Sequence, residues 1–243
     1  MSRKTTRVRI VRFEEGKVAK IDDLVPLEHR LVLYLDGQSA GELYCSRGSL
    51  EALAVGHLAV KGKLAAKGPP GVSLEEGKHS TMARVTTPSE AATPDPLEDA
   101  ASPPGMGEPI SPQTIIDNMD SLAESSEIFG ATGAAHCSGY FLGDQSLLLF
   151  EDIARHNTID RIIGSSILRT MDLSRGMICT TGRVSAEIAD RCVQAGVTAL
   201  VSRGAPTGRA IEISRVGGLT LVGFARGHRF NCYSHPDRIL FAK

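Results

Sequence analysis

The chain has 243 residues, enough for one large α/β domain or two small ones. Hydrophobic residues make up 42% and charged residues 23%, ordinary for a soluble globular protein, and a formal net charge of −1 provides no basic field for DNA or an anionic membrane. Aromatics at 5% without tryptophan disfavour a reader of single-stranded nucleic acid, no apolar run approaches the roughly 20 residues of a membrane span, and the basic N-terminus lacks an apolar signal core, so the expected location is the cytoplasm.

Val8, Ile10 and Phe13 suggest a first strand. Arg30–Leu35 and Ala40–Cys45 flank Asp36-Gly37, a strong hairpin signal. Ser49 is placed to cap a helix whose apolar stripe is Leu50, Leu53, Ala54, His57 and Leu58. These elements form an N-terminal α+β unit over residues 1–67. Residues 68–112 hold nine of the twelve prolines and seven acidic residues against two basic ones, Lys78 and Arg84. That composition predicts a disordered acidic linker, because it buries too little to offset ordering entropy.

Residues 113–243 read as a second, α/β domain. Ser146–Phe150 is a buried strand, followed by a helix with Ile159, Ile162, Ile163 and Ile167 on one side. Met177–Thr181 is the next strand, and Ser185 then caps a helix that Gly196 stops. Thr198–Val201 and Leu219–Phe224 are two more strands, with a helix between them ending at Gly217-Gly218. Alternating strands and helices at this spacing imply a mostly parallel sheet with helices on its faces.

In such sheets ligands bind beyond the carboxyl ends of the strands. Each of the four strands runs into a polar loop with arginine: Arg155, Arg183, Arg203, and then Arg226 with Arg229. Guanidinium is a bidentate partner for phosphate, and two of these loops open helices whose N-terminal amides favour anions. Together they predict a site for a polyanion such as a nucleotide or a pyrophosphate-containing cofactor. The alternative for any single arginine is an exposed loop residue in an ion pair. His136 and His156 lie close enough to strands to serve as general acid or base, or as anion donors, and His228 lies in a strand-end loop. A structural histidine is the competing reading. The dinucleotide Gly-x-Gly-x-x-Gly, the phosphate-binding Gly-x-x-x-x-Gly-Lys and the zinc-deaminase pattern are all absent, and five scattered cysteines without a Cys-x-x-Cys argue against structural zinc; no metal is expected.

The blocks ATGAAH (131–136), EDIARHNTIDRIIG (151–164), TTGRVSAEIADRCVQAG (180–196), SRGAPTGRAIEISR (202–215) and LTLVGFARGHRFNCYSHPDRI (219–239) resemble the FdhD family of formate dehydrogenase accessory sulfurtransferases. The resemblance implies a cytidine-deaminase-like fold, a homodimer, and transfer of sulfur from a cysteine desulfurase to the molybdenum cofactor before it enters formate dehydrogenase. It also implies that the ligand is the bis-guanine-dinucleotide form of molybdopterin, bound by a loop matching Phe224, Ala225, Arg226, Gly227, His228 and Arg229. Arg155, Arg183, Arg203, His136, His156 and Asn157 complete the expected binding set. The family's persulfide cysteine lies in a Cys-x-x-Cys loop, whereas residues 46–136 here contain no cysteine. Cys137 is the candidate thiol that remains, since it follows His136 at a glycine-containing turn; its alternative is structural burial. A cofactor-binding chaperone without persulfide chemistry is therefore one further reading, and an unrelated nucleotide-binding enzyme using His136 or His156 is another.

Overall fold

A computed structural model describes residues 4–64, 68–77, 80–88 and 109–241. Strands β1 (Thr5–Glu14) and β2 (Lys17–Pro26) pair antiparallel along their whole length. The turn between them, Glu15-Gly16, has both residues at positive φ, as a tight two-residue hairpin requires. Asp36 and Gly37 do the same between β3 (His29–Leu35) and β4 (Gln38–Cys45), as their sequence predicts.

The linker expectation is corrected for its first part. Gly71–Glu76 is β5 and Ser80–Thr86 is β6; with β3 and β4 they form a sheet of order β4-β3-β6-β5. In β6 the buried residues Thr81, Ala83 and Val85 alternate with more exposed ones. Period-two burial suffices for a strand even where overall hydrophobicity is low, and averaging across the proline-rich run hides it. Residues 89–108 of the expected linker lie outside the described residues. The N-terminal unit thus extends at least to Thr86.

The second sheet holds six strands in the order β12-β11-β10-β9-β7-β8. They are β7 (His136–Leu142), β8 (Gln145–Asp152), β9 (Met177–Thr180), β10 (Ala199–Ser202), β11 (Thr220–Arg226) and β12 (Arg229–Ser234). Only β9–β10 and β10–β11 are parallel, while β7–β8, β7–β9 and β11–β12 are antiparallel. This corrects the mostly parallel sheet: β7 and β12, which the sequence pattern did not reveal as strands, make it mixed. Because β7 opposes both of its neighbours, β8 runs in the same direction as β9, β10 and β11. The carboxyl ends of all four therefore meet at one edge, as expected.

Helices α4 (Arg155–Arg169), α5 (Ala186–Gln194) and α6 (Gly208–Val216) contribute to the core on one face, where Ile159, Ile162, Ile188 and Ala210 meet Ile178, Leu200 and Leu221. On the other face α2 (Pro112–Glu124) buries Ile115, Met119 and Leu122 against Phe141, Cys179, Val201 and Val222. Pro112 starts α2 and Ser111 caps it through Thr114 N at 3.0 Å. A short helix, α3 (Glu127–Thr132), follows.

Helix α1 (Leu50–Val60) joins the two halves. Ser49 precedes it in a left-handed conformation and makes no side-chain cap, contrary to the expectation. One side of α1 packs on the four-stranded sheet through Leu53, Val55 and Leu58. Against α4 the backbones nearly touch. A Cβ on Gly56 would sit 1.8 Å from the Asp160 carbonyl oxygen, and one on Gly164 would sit 1.8 Å from that of Ala52.

These contacts set the sign of a substitution. Alanine in a helix interior ordinarily stabilises by about 1 kcal/mol relative to glycine. Here Gly164→Ala should instead destabilise by about 3 kcal/mol, because backbone rather than a flexible side chain must move. Urea unfolding measures it; an unchanged or raised midpoint would contradict the crossing.

Candidate functional site

The edge where β8–β11 end is built on a buried layer of hydroxyl groups. Ser138 lies within 2.7 Å of Thr158 Oγ1 and donates to Thr180 Oγ1 at 2.8 Å. Thr180 Oγ1 accepts the Gly182 amide at 3.2 Å. Ser202 donates to the Gly182 carbonyl at 2.7 Å and accepts the Gly204 amide at 2.9 Å. Thr180 and Ser202, the last residues of β9 and β10, thereby fix the loops that follow them. Sequence reasoning missed these residues, although a Thr or Ser closing an apolar strand just before Thr-Gly-Arg or Arg-Gly-Ala was the available signal.

Neighbouring loops are also tied to one another. Thr181 N donates to Cys137 O at 2.9 Å, Arg203 N to Thr180 O at 3.0 Å, Val184 N to Ala205 O at 3.1 Å and Phe224 N to Gly204 O at 3.0 Å. Glycines permit the close stacking. A Cβ on Gly182 would meet Arg155 Cβ at 2.9 Å, and one on Gly204 would meet Arg183 Cα at 3.1 Å. The loops bearing Arg155, Arg183 and Arg203 thus run side by side along the edge. Arg226 and Arg229 close it, paired across the Gly227-His228 turn between β11 and β12.

None of Arg155, Arg183, Arg203, Arg226 and Arg229 lies within ion-pair distance of a carboxylate among the described residues. The ion-paired alternative therefore does not hold there. Arg183, Arg203, Arg226 and Arg229 are exposed, Arg155 is half-buried, and its Nε is buried without a partner. An unpaired cluster of guanidiniums is repulsive until an anion arrives. The α5 N-terminus opens at the same edge, and Ser185 does not cap it through its side chain. Its first amides remain donors for an anion. Thr207 does cap α6, bonding Ala210 N at 3.3 Å.

His136 opens β7 at this edge, opposite Asp152. Burial lowers its pKa, and Arg155 and Arg183 lower it further. His156 lies 3.4 Å from Ser185 Oγ and 3.2 Å from a Glu187 oxygen. Burial lowers its pKa too, then Arg191 and Arg155, against opposing pulls from Glu187 and Asp160. Phe224 adopts φ 53° at a register break in β11, and the Arg226 guanidinium stands 6.0 Å from its ring centre. Such backbone strain in a non-glycine residue persists only where surrounding contacts enforce it; the bond to Gly204 is one of them. Gly227 and His228 are exposed in the turn.

Three expected site residues are placed elsewhere. Asn157 is buried, and its amide donates to Tyr44 O at 2.9 Å and Asp152 Oδ1 at 3.0 Å, so it braces the fold. Ala225 is buried in the layer beneath α2. Cys137, the candidate thiol, is fully buried in that same layer, and desolvation pushes its pKa up to about 11. Neighbours along a strand point to opposite faces, so following His136 carries Cys137 away from His136's face. Cys45, Cys179 and Cys192 are also buried, and burial raises all three thiols. Cys232 is half-buried, its thiol also raised by burial, and its sulfur donates to Ser234 O at 3.3 Å. Among the described residues no group of His, Cys, Asp and Glu is arranged to hold a metal ion, and no helix is long and apolar enough to cross a membrane.

A cavity of about 810 Å³ lies at the opposite edge of the sheet, between the start of α2, the β7–β8 turn and the residues before β9. It contains Asp144 and Asp172 together with Arg175 and Arg238. Arg238 already donates to Thr198 O and Gly218 O. That balance of charge suits a polyanion far less than the arginine edge does.

Known proteins are similar over nearly the whole chain. The sulfur carrier protein FdhD of Bacillus subtilis is 28% identical, with 98% of this chain and 99% of that protein aligned. The protein of the same name from Streptomyces coelicolor is 30% identical, covering 98% and 97%. The crystal structure of a formate dehydrogenase accessory protein from Desulfotalea psychrophila superimposes with a TM-score of 0.83 at 20% identity, covering 98% of this chain and 100% of that one. Residues 73–240 match the FdhD/NarQ family. That match spans more than two thirds of the sequence and every loop of the arginine edge, and the chain belongs to the FdhD/NarQ family.

Proposed function

We propose that this chain is a cytoplasmic accessory protein of formate dehydrogenase maturation that binds the guanine-dinucleotide form of the molybdenum cofactor at the arginine edge. The observation that carries this reading is the row of five arginines without carboxylate partners among the described residues, over a hydrogen-bonded hydroxyl layer. The cofactor is cargo here, and its phosphates match that charge. Arg155, Arg183, Arg203, Arg226 and Arg229 would hold them, aided by the α5 amides. The open edge suits a ligand too large for a closed pocket. The partner on this reading is a formate dehydrogenase or related molybdoenzyme.

Sulfur carriage, which the relatives' name states of them, is the second reading, with a cysteine desulfurase as donor. It needs an accessible thiolate. Four of the five cysteines are buried and all five have raised pKa values, which favours a chain that holds the cofactor without carrying sulfur. Mass spectrometry after incubation with a cysteine desulfurase and cysteine should find no added sulfur. Stoichiometric persulfide would establish the carrier reading; its loss in Cys232→Ser but not in Cys137→Ser would locate it on the most exposed thiol.

GDP serves as a fragment of the cofactor. A charged hydrogen bond contributes about 1.5–3 kcal/mol, so Arg226→Ala or Arg183→Ala should weaken GDP binding roughly tenfold or more in calorimetry. Unchanged affinity in both variants would refute the site. Release of phosphate from GDP would point instead to an enzyme.

His136 adds a pH signature. Its pKa lies below 6.5 because burial and the Arg155 and Arg183 charges disfavour protonation. A bound phosphate opposes those charges and raises the pKa, so binding takes up a proton as pH falls through the interval between the two values. Between pH 7.5 and 5.5 the wild type should therefore gain GDP affinity relative to His136→Gln. Parallel pH profiles for the two proteins would exclude His136 from the site.

A further inference from the structure

The loop segments that make the arginine edge, residues 131–136, 153–157, 181–187, 203–207 and 224–229, contain a single acidic residue, Glu187. It stands in the first turn of α5, and its side chain is 61% exposed. It pairs with none of the five rim arginines. One of its oxygens instead lies 3.2 Å from His156 Nε2, and the other lies 3.9 Å from an Arg191 nitrogen. Arg191 is already paired with the buried Asp160. The same His156 nitrogen lies 3.4 Å from Ser185 Oγ, which makes no cap to the helix. Ala189 N donates to Ser185 O at 3.1 Å, so the amides of Ala186, Glu187 and Ile188 precede the helical ladder.

On the reading of the arginine edge as the ligand site, we propose that Glu187 determines its specificity: a built-in counter-anion that engages His156 in the empty chain and sets how much charge a ligand must bring to displace it. The carboxylate stands between an imidazole and a hydroxyl at the rim, where a phosphate oxygen would otherwise find donors. Its hold there is weak, because an ion pair with an exposed partner contributes little. A ligand with two or more phosphates spreads its charge over Arg155, Arg183, Arg203 and Arg226, and those contacts offset the displacement.

A single orthophosphate has no such reserve. It makes its contacts at one spot, and there Glu187 both takes up donors and repels it. Glu187 thereby favours a polyphosphate ligand over the free phosphate of a cell. A carboxylate that only complemented the α5 dipole would change helix stability and leave ligand choice alone.

Calorimetry of the full chain with GDP, and with orthophosphate as competitor, tests this at constant ionic strength. Glu187→Gln keeps the size of the side chain and removes its charge. It should bind GDP about fivefold or more tightly than the wild type, and orthophosphate should compete at about fivefold or more lower concentration. Asp190→Asn is the control: Asp190 is exposed three residues further along α5 and accepts from Gln194 at 2.7 Å. It makes the same change in net charge away from His156 and should alter either measurement by less than about twofold. Equal gains in both variants would reduce the effect to net charge and overturn the proposal. So would wild-type affinities in Glu187→Gln, which leave Glu187 a helix-terminus role, or weakened GDP binding, which makes it a ligand contact. Glu187→Ala should behave as Glu187→Gln does, and urea unfolding of each variant checks folding. Failure of the ligand site is distinguishable, because Arg183→Ala and Arg226→Ala would then leave GDP affinity unchanged, whereas failure here leaves their losses intact.

Discussion

Asp152 is the last residue of β8, and it is fully buried. Its two oxygens accept from the amides of Ser46 and Ala154, from Asn157 and from Arg161. Arg161, only 2% exposed, donates in turn to the carbonyls of Ser46, Gly48 and Ser49. One buried ion pair therefore organises the chain before α1, the end of β8 and the start of α4. A buried pair is weak evidence for net stability, yet losing one partner leaves an uncompensated charge and costs about 3–5 kcal/mol. The glycine crossing of α1 and α4 lets the two halves approach closely enough for this pair to span them. The site depends on it because Arg155 and His156 begin the helix that Asp152 anchors.

Asp160, in the second turn of α4, repeats the arrangement. It is fully buried, bonded by Arg191 of α5 and approached by His57 of α1 at 3.1 Å. Asp152 and Asp160 are thus engaged beneath the surface, while among the described residues the arginines at the rim have no carboxylate within ion-pair distance. That separation gives the edge its positive charge. The carboxylates of Asp152 and Asp160 are paired and buried, whereas the guanidiniums of Arg183, Arg203, Arg226 and Arg229 are exposed. The hydroxyl layer supplies rigidity between the two sets without adding charge of its own.

Much of this was legible in the sequence, for identifiable reasons. Continuous apolar strands followed by polar loops mark β8–β11, and the shared direction of those strands brings the arginines to one edge. The mixed sheet was not legible, because β7 starts at His136 directly after a glycine-containing segment and the alternation in β12 does not extend past Cys232. Strands β5 and β6 were lost in a window dominated by proline, and β2 because charge interrupts its apolar pattern. Cys137 misled because adjacency in sequence suggests proximity to the site, while strand geometry reverses it. Asn157 lies within the family pattern but serves the joint between halves, which no single motif records.

Hydrogen exchange with and without GDP distinguishes the arginine edge from the cavity at the other end of the sheet. Saturating GDP should slow exchange of amides in residues 181–187, 203–207 and 224–229, and leave residues 109–114, 141–144 and 172–177 unchanged. Protection confined to the second group would place the ligand at the wrong end of the sheet and contradict the central claim.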